Sequence, residues 1–570
     1  MRTDRDLPPR DASAGPVALR SPDQVMRLAR LGAFHQTRLS FMRALLRRLK
    51  RDAWRFDRPV WRIDAKGVGV AVYRARAPEG RAYSLVCFAH DLPAEARSDR
   101  VIAEAWDATF ALVDGEPTEA DVARLAANVP KQEAGRVSAR ELVLSRANRS
   151  VRLFEHVVGR LAEGRQPDAA EIESVGYLMR TTAVYGNGKF GLADRERVAD
   201  RDELSGPFRA EMLAVWLIRA FTADLAEHLA RARAPETAVD LDPVLRRRLG
   251  VGNSTGLGMA PFLVTHPLLL HRWIAARETA LARVRALPTA EPAAQALFRT
   301  MLARARRGAQ EWRTVDARQQ ARIEALRADL DRLSARIDDG ALDADAPWDA
   351  LIRWSEDALT LEGQELLVSL AIEPHGSLVD DLTREMAADE EAVFRIDGAQ
   401  SCGALRADLA ARYAWALKAD YDAPEGSAHF WYVSEEKLEP RLGRRAEEPG
   451  AELEQPLAVG RDVAALHAAL ADRPEDEPVA RFLLERPEHR HAVRRAQLTA
   501  AHAYAEIRDN LIGAALLPID LLRCKLSFFG ATRFDPRSDR WVRITMFQDA
   551  PYPHELTAAP ADDWAYPLLG

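Results

Sequence analysis

The sequence predicts an α+β protein in which helix predominates, with a large helical middle region flanked by N-terminal and C-terminal antiparallel β segments. Three observations carry that expectation. Residues 59–118 alternate apolar and polar positions with period two; residues 119–390 show apolar spacings of three and four; the last third returns to short alternating runs broken by turn residues.

Residues 1–20 mix Asp with Arg and lack an apolar run, so they read as a disordered lead and not as a signal peptide. The span 21–118 opens with QVMRLARLGAFHQTRLSFMRALLRRLKRDAW, whose spacing is helical with an arginine-rich face. VWRIDAKGVGVAVYRARAPEGRAYSLVCFAHDL then alternates about a turn at Ala77-Pro78-Glu79-Gly80, and WDATFALVDGEP adds a strand, giving an antiparallel meander. The span 119–390 is expected to be a helical domain. Within it, SGPFRAEMLAVWLIRAFTADLAEHLARAR starts with a Ser cap and a Pro in the first turn and is apolar almost all round, as a central buried helix would be. Ile323, Leu326, Leu330, Leu333 and Ile337 form a short coiled-coil-like seam within 315–340, closed by Gly340; so short a seam predicts an intramolecular helix hairpin. The span 391–570 is expected to be mixed α/β with two hairpins. The first, RYAWALKADYDAPEGSAHFWYVSEEKLEPRLGRR, turns at 423–426, and the second, KLSFFGATRFDPRSDRWVRITMFQD, turns at Asp535-Pro536. The repeated tetrapeptide Ala-Pro-Glu-Gly raises the prospect that these β segments pack beside 59–118, although turn chemistry alone also accounts for it.

At 570 residues, 47% hydrophobic and 29% charged, the chain has the composition of a soluble globular protein. A net charge of −6 disfavours non-specific nucleic-acid binding. No apolar run is long enough to span a membrane. Cys87, Cys402 and Cys524 are widely spaced and odd in number, which signals neither a disulfide framework nor a thiolate zinc site and fits a cytoplasmic protein. Lysine occurs only at 50, 66, 131, 189, 418, 437 and 525, so 73 of the 80 basic residues are arginine. Against that bias of a GC-rich coding sequence, a retained lysine points to a compact, deprotonatable ammonium. Asparagine occurs only at 128, 148, 187, 253 and 510.

Two of those asparagines lie in glycine-rich stretches. VYGNGKFG, 184–191, follows AAEIESVGYLMRTTA, which is expected to be a helix carrying Arg180. Tyr185, Asn187, Gly188 and Lys189 with Arg180 would offer backbone N–H groups and positive charge to a carboxylate or phosphate. The stretch is not a Walker A motif, because Ala183 and Phe190 stand where glycine and Ser/Thr belong. The second stretch, 250–259, presents Asn253, Ser254, Thr255 and Gly256 ahead of His266, a base candidate at a helix start. Gly252, Gly256 and Gly258 have the spacing of a dinucleotide turn, but the charged DPVLRRRLG in front argues against that reading, and close packing across small residues competes with ligand binding. Cys402, at a helix start, would gain nucleophilicity from the dipole, set against the commoner buried thiol. Glu435, Glu436, Lys437, Glu439 and Arg441 read as an ionic edge, and His502, Glu506 and Asp509 as a polar helix face rather than a metal site.

The leading expectation is an enzyme whose pocket, formed by 184–191 and 250–259, takes an anionic or polar small molecule. Lyase, transferase or hydrolase chemistry without a metal is open, the cofactor is unknown, and an oligomer is open. Lys189, His266 and Cys402 are the catalytic candidates; Arg180, Tyr185, Asn187, Gly188, Asn253, Ser254, Thr255 and Gly256 are the ligand-binding ones. The alternative is a non-catalytic helical interaction protein that engages an acidic partner or RNA through arginines between Arg38 and Arg58 and between Arg304 and Arg336.

Overall fold

A computed structural model describes residues 18–97, 105–128, 138–183, 198, 200–255, 266–314, 317–387, 394–421, 430–434, 440–443, 454–456, 459–509, 523–531, 533–535 and 542–558. Among these, nine strands form one sheet. Strands β1 (Arg55–Ile63), β2 (Gly69–Arg76), β3 (Ala82–Ala89), β4 (Ala108–Asp114), β5 (Glu141–Arg149) and β6 (Tyr177–Thr181) pair antiparallel in chain order. β7 (Gly250–Thr255) pairs parallel to β6. Three further strands, β8 (Phe430–Ser434), β9 (Pro440–Gly443) and β10 (Glu454–Pro456), form a small separate sheet. The hairpin of β11 (Arg533–Asp535) and β12 (Val542–Met546) then completes the large sheet, β12 lying antiparallel against β7.

Period two explains how the meander is covered. Ala71, Tyr73, Leu85, Cys87, Phe110 and Leu112 enter the main core, while Val72, Val86, Phe88, Ala111 and Val113 form a second cluster with Val122 and Leu125 of helix Glu119–Asn128. β3 is therefore buried along its whole length. On the main face lies helix Arg209–Arg233, buried on nearly every side from Ala210 to Ala223 and packed against β2, β3, β5, β6 and β7. It starts later than expected: Ser205 does not cap it, and Phe208, with φ of 54°, holds the N-cap position. The seam residues Ile323, Leu326, Leu330, Leu333 and Ile337 are all buried, and helix Ala317–Asp338 packs on Pro292–Glu311 as an intramolecular hairpin.

Several expectations need correcting. The span 119–390 is not purely helical, since it supplies β5, β6 and β7 to the sheet. Arg180 sits on β6, because Gly176 ends the preceding helix at Val175 with φ of 80°. Residues 250–255 are a strand and not a loop. The first C-terminal hairpin starts at Phe430, after helices Cys402–Arg412 and Ala414–Leu417, and its expected turn at 423–426 lies outside the described residues. The expected amino-terminal helix is broken into Pro22–Val25, a 3-10 turn at Leu28–Arg30 and Phe41–Arg51, and at Gly32 the chain passes so close to its neighbour that a Cβ would fall 2.4 Å from the Arg523 carbonyl. Helix Arg490–Ala501 stops short of His502, so His502, Glu506 and Asp509 share no helical face. Glu506 is instead buried against Arg495 and Tyr413, and Asp509 accepts from the Leu28 amide. Helices Cys402–Arg412, Val459–Ala471, Val479–Glu485 and Arg490–Ala501 enclose a smaller core of their own.

Candidate functional site

Among the described residues one strand pair of the large sheet is parallel, and it places the carboxyl ends of β6 and β7 side by side. Its glycines serve the packing. A Cβ on Gly252 would come 2.5 Å from Arg180 Cγ and 2.8 Å from the Tyr177 ring, and one on Gly250 would come 2.4 Å from the Met546 carbonyl. Gly252 lies inside the strand opposite Arg180, so it cannot open a dinucleotide turn even though the strand missing from the sequence argument is present.

Asn253 is buried beside this pair. Its Nδ2 donates to the Thr181 carbonyl at 3.1 Å, fixing the amide, and its Oδ1 accepts from Lys525 Nζ at 3.4 Å. Lys525 is fully buried, its ammonium 5.5 Å from the centre of the Phe529 ring, and burial pushes it down to about 7. It opens a π-helical turn, Lys525–Phe529, ended by Gly530 at φ of 95°. Single π turns concentrate at functional positions. The amino-terminal segment clamps this one: the Ala33 amide donates to Ser527 Oγ at 2.8 Å, the Thr37 amide to the Ser527 carbonyl at 3.1 Å, and Ser527 Oγ to the His35 carbonyl at 3.1 Å. His35 is itself buried and pushed down to about 4.

Of the residues expected in the site, the structure brings together Arg180 and Asn253, on adjacent strands. Ser254 and Thr255 follow in β7, with side chains outside the description. Tyr185, Asn187, Gly188, Lys189 and Gly256 lie outside the described residues, as do Glu435, Glu436, Lys437 and Glu439. His266 immediately precedes helix Pro267–Arg285, as expected. Cys402 does not belong here: it is buried in the separate carboxyl-terminal core, where burial and the nearby Glu477 push the thiol up, outweighing its helix-start position and correcting the expectation of an activated nucleophile. Lys525 was missed, although its rarity marked it as strongly as Lys189.

A concavity of about 440 Å³ opens between β1, β2 and helix Arg209–Arg233, away from the Asn253–Lys525 pair. Its charges are spent on one another: Arg58 and the Tyr73 hydroxyl reach Asp224 at 2.7 and 2.5 Å, and Arg246 pairs with Asp224 and Glu227. Among the described residues no three His, Cys, Asp or Glu side chains are grouped to hold a metal, and no helix is long and apolar enough to cross a membrane. Comparison of the chain with protein-family models, with curated proteins and with solved structures finds no match.

Proposed function

We propose that the chain is an enzyme that takes an anionic or polar small molecule at the shared end of β6 and β7, where Lys525 moves a proton and Asn253 orients the amine. The supporting observation is the run Lys525 Nζ to Asn253 Oδ1, Asn253 Nδ2 to Thr181 carbonyl, which aims a desolvated amine at the parallel strand pair of the sheet. An amine whose ammonium form is penalised by burial exchanges protons near neutral pH, the condition for general acid-base work. Arg180 supplies positive charge on the adjacent strand, and Lys189 and His266 keep the ligand-holding and proton-moving roles the sequence gives them.

Against the reading as an RNA-binding or acid-binding scaffold stands the pairing of several of its arginines within the fold. Arg38 pairs with Asp380, Arg43 with Glu373, Arg58 with Asp224, Arg306 with Asp331, and Arg327 donates to the Ala309 and Trp312 carbonyls. A thermal-shift screen against carboxylate and phosphate metabolites tests the proposal on the wild type, Lys189→Ala and Lys525→Met. A ligand at a hundred times its Kd should stabilise the wild type by about 2.7 kcal/mol. Stabilisation retained in full by both variants would reject the site, and salt-sensitive RNA binding without any such ligand would favour the scaffold.

A further inference from the structure

Helix Arg209–Arg233 begins with an arginine that has no acid partner among the described residues. Arg209 is only 7% exposed, and its Nε is buried without a hydrogen-bond partner. Burial, with Arg47, Arg48 and Arg51 of helix Phe41–Arg51 acting in the same direction, pushes the guanidinium down to about 9, and no carboxylate among the described residues acts against them. Other deeply buried arginines are answered. Arg43 meets Glu373, Arg277 meets Glu278 and Glu365, and Arg219 donates to three backbone carbonyls. Gly206 makes the room that Arg209 occupies, since a Cβ there would sit 2.7 Å from its Nε.

The neighbouring arginines are only partly neutralised. Arg47 donates to the Arg38 carbonyl at 2.7 Å and lies 3.4 Å from Asp380; Arg48 and Arg51 share Asp52, and Arg48 also lies 3.6 Å from the exposed Asp202. Glu211, the acid of the same helical turn, is not among the groups that act on Arg209. Three guanidinium groups of helix Phe41–Arg51 thus act on a fourth, Arg209, which stands at the amino end of the longest described helix, buried and unpaired among the described residues. Burying an unanswered charge costs free energy, and the groups are matched to a tetrahedral dianion: arginine forks bind phosphate in pairs, and a helix amino end adds N–H donors and positive potential.

We infer that Arg209, with Arg47, Arg48 and Arg51 around it, forms a binding site for the phosphate group of a small molecule. The site is independent of the Lys525 amine. Phosphate answers the charge of Arg209 directly, and the three surrounding arginines complete the neutralisation.

Calorimetric titration with inorganic phosphate and with pyrophosphate, at an ionic strength held constant with sodium chloride, tests this on the wild type, Arg209→Met, Arg51→Gln and Lys525→Met. The expected result is saturable binding by the wild type and by Lys525→Met, a loss of about tenfold or more in Arg209→Met, and a several-fold loss in Arg51→Gln. In phosphate-free buffer Arg209→Met should melt no lower than the wild type. No binding by the wild type beyond the chloride control, or equal affinity in Arg209→Met, overturns the assignment. Loss in Lys525→Met with retention in Arg209→Met also overturns it, because phosphate would then sit at the strand ends. Should Arg209→Met fail to fold, the exposed substitution Arg51→Gln decides, and wild-type affinity in that variant overturns the site.

Discussion

Replacing Lys525 by methionine tests whether the buried amine is neutral in the folded protein. Methionine keeps the length of the side chain and removes its charge. Burial lowers the amine from 10.5 to about 7, and a pKa difference between folded and unfolded chains converts to stability at about 1.4 kcal/mol per unit. Between pH 7 and pH 10.5 the unfolded chain holds a proton that the folded chain has released, so the wild type gains stability from this group as pH rises. Below pH 7 both states are protonated and the fold carries the whole penalty, about 5 kcal/mol for a shift of about 3.5 units. The variant escapes that penalty but removes the Lys525 hydrogen bond to Asn253 Oδ1, a loss of about 1–3 kcal/mol. Lys525→Met should therefore exceed the wild type by about 2–4 kcal/mol at pH 7. The advantage should shrink by about 1.4 kcal/mol for each pH unit up to pH 10. Urea unfolding of both proteins at pH 7, 8, 9 and 10 measures it, since the other titrating groups cancel in the difference. An advantage that stays constant over that range, or a wild type that is the more stable at pH 7, would mean that the ammonium is charged inside the fold and would refute the reasoning.

Gly252→Ala should push β6 from β7, because its Cβ would fall within 2.8 Å of both Arg180 and Tyr177; a loss of about 1–3 kcal/mol by differential scanning calorimetry is expected, and an unchanged Tm would contradict the close approach. Arg219→Lys cannot reproduce the three bonds of Arg219 to the Leu249, Ala550 and Arg247 carbonyls, at 2.6, 2.7 and 2.8 Å, nor its stacking on Tyr552. That variant should lose about 2–4 kcal/mol and the amide-exchange protection at 247–251, and full protection there would exclude Arg219 as the tie between β7 and the carboxyl-terminal segment.

The parts of the fold that were legible in the sequence are those whose burial follows from local periodicity. β1 to β4 alternate because each face of the meander has its own cover, and the seam from Ile323 to Ile337 is spaced for one neighbouring helix. β6 and β7 are short and surrounded by helix, and their partners lie far away in the chain: Arg180 faces Gly252, and Gly252 faces Thr545. Glycines that pack strands closely have the same local signature as glycines in a loop, so 250–255 read as a bend until the pairing was visible. The stretch 26–40 has helical spacing, yet its apolar side chains are buried in extended and turned chain, held by contacts to residues almost five hundred positions later, such as Ser527. Tertiary contact of that range overrides spacing.

Residue rarity located the candidate site only when combined with burial. Of the lysines the structure describes, Lys66 and Lys418 are exposed and Lys50 half-buried, as an ordinary solvated charge would be, whereas Lys525 is sealed. Asparagine divides in the same way. Asn148 is buried for a structural task, its Oδ1 accepting from the Asp107 amide and its Nδ2 donating to the Ala105 carbonyl, so both ends of its amide answer backbone. Asn253 donates from one end of its amide to the Thr181 carbonyl and accepts at the other from the Lys525 amine. A side-chain amide that ties two strands together could be exchanged for other polar residues at modest cost, but one that must accept from Lys525 while donating to Thr181 is restricted to asparagine by length and by its pairing of donor with acceptor. Composition explains why lysine and asparagine are scarce in this chain, and one hydrogen-bonded run brings a residue of each kind together at 525 and 253.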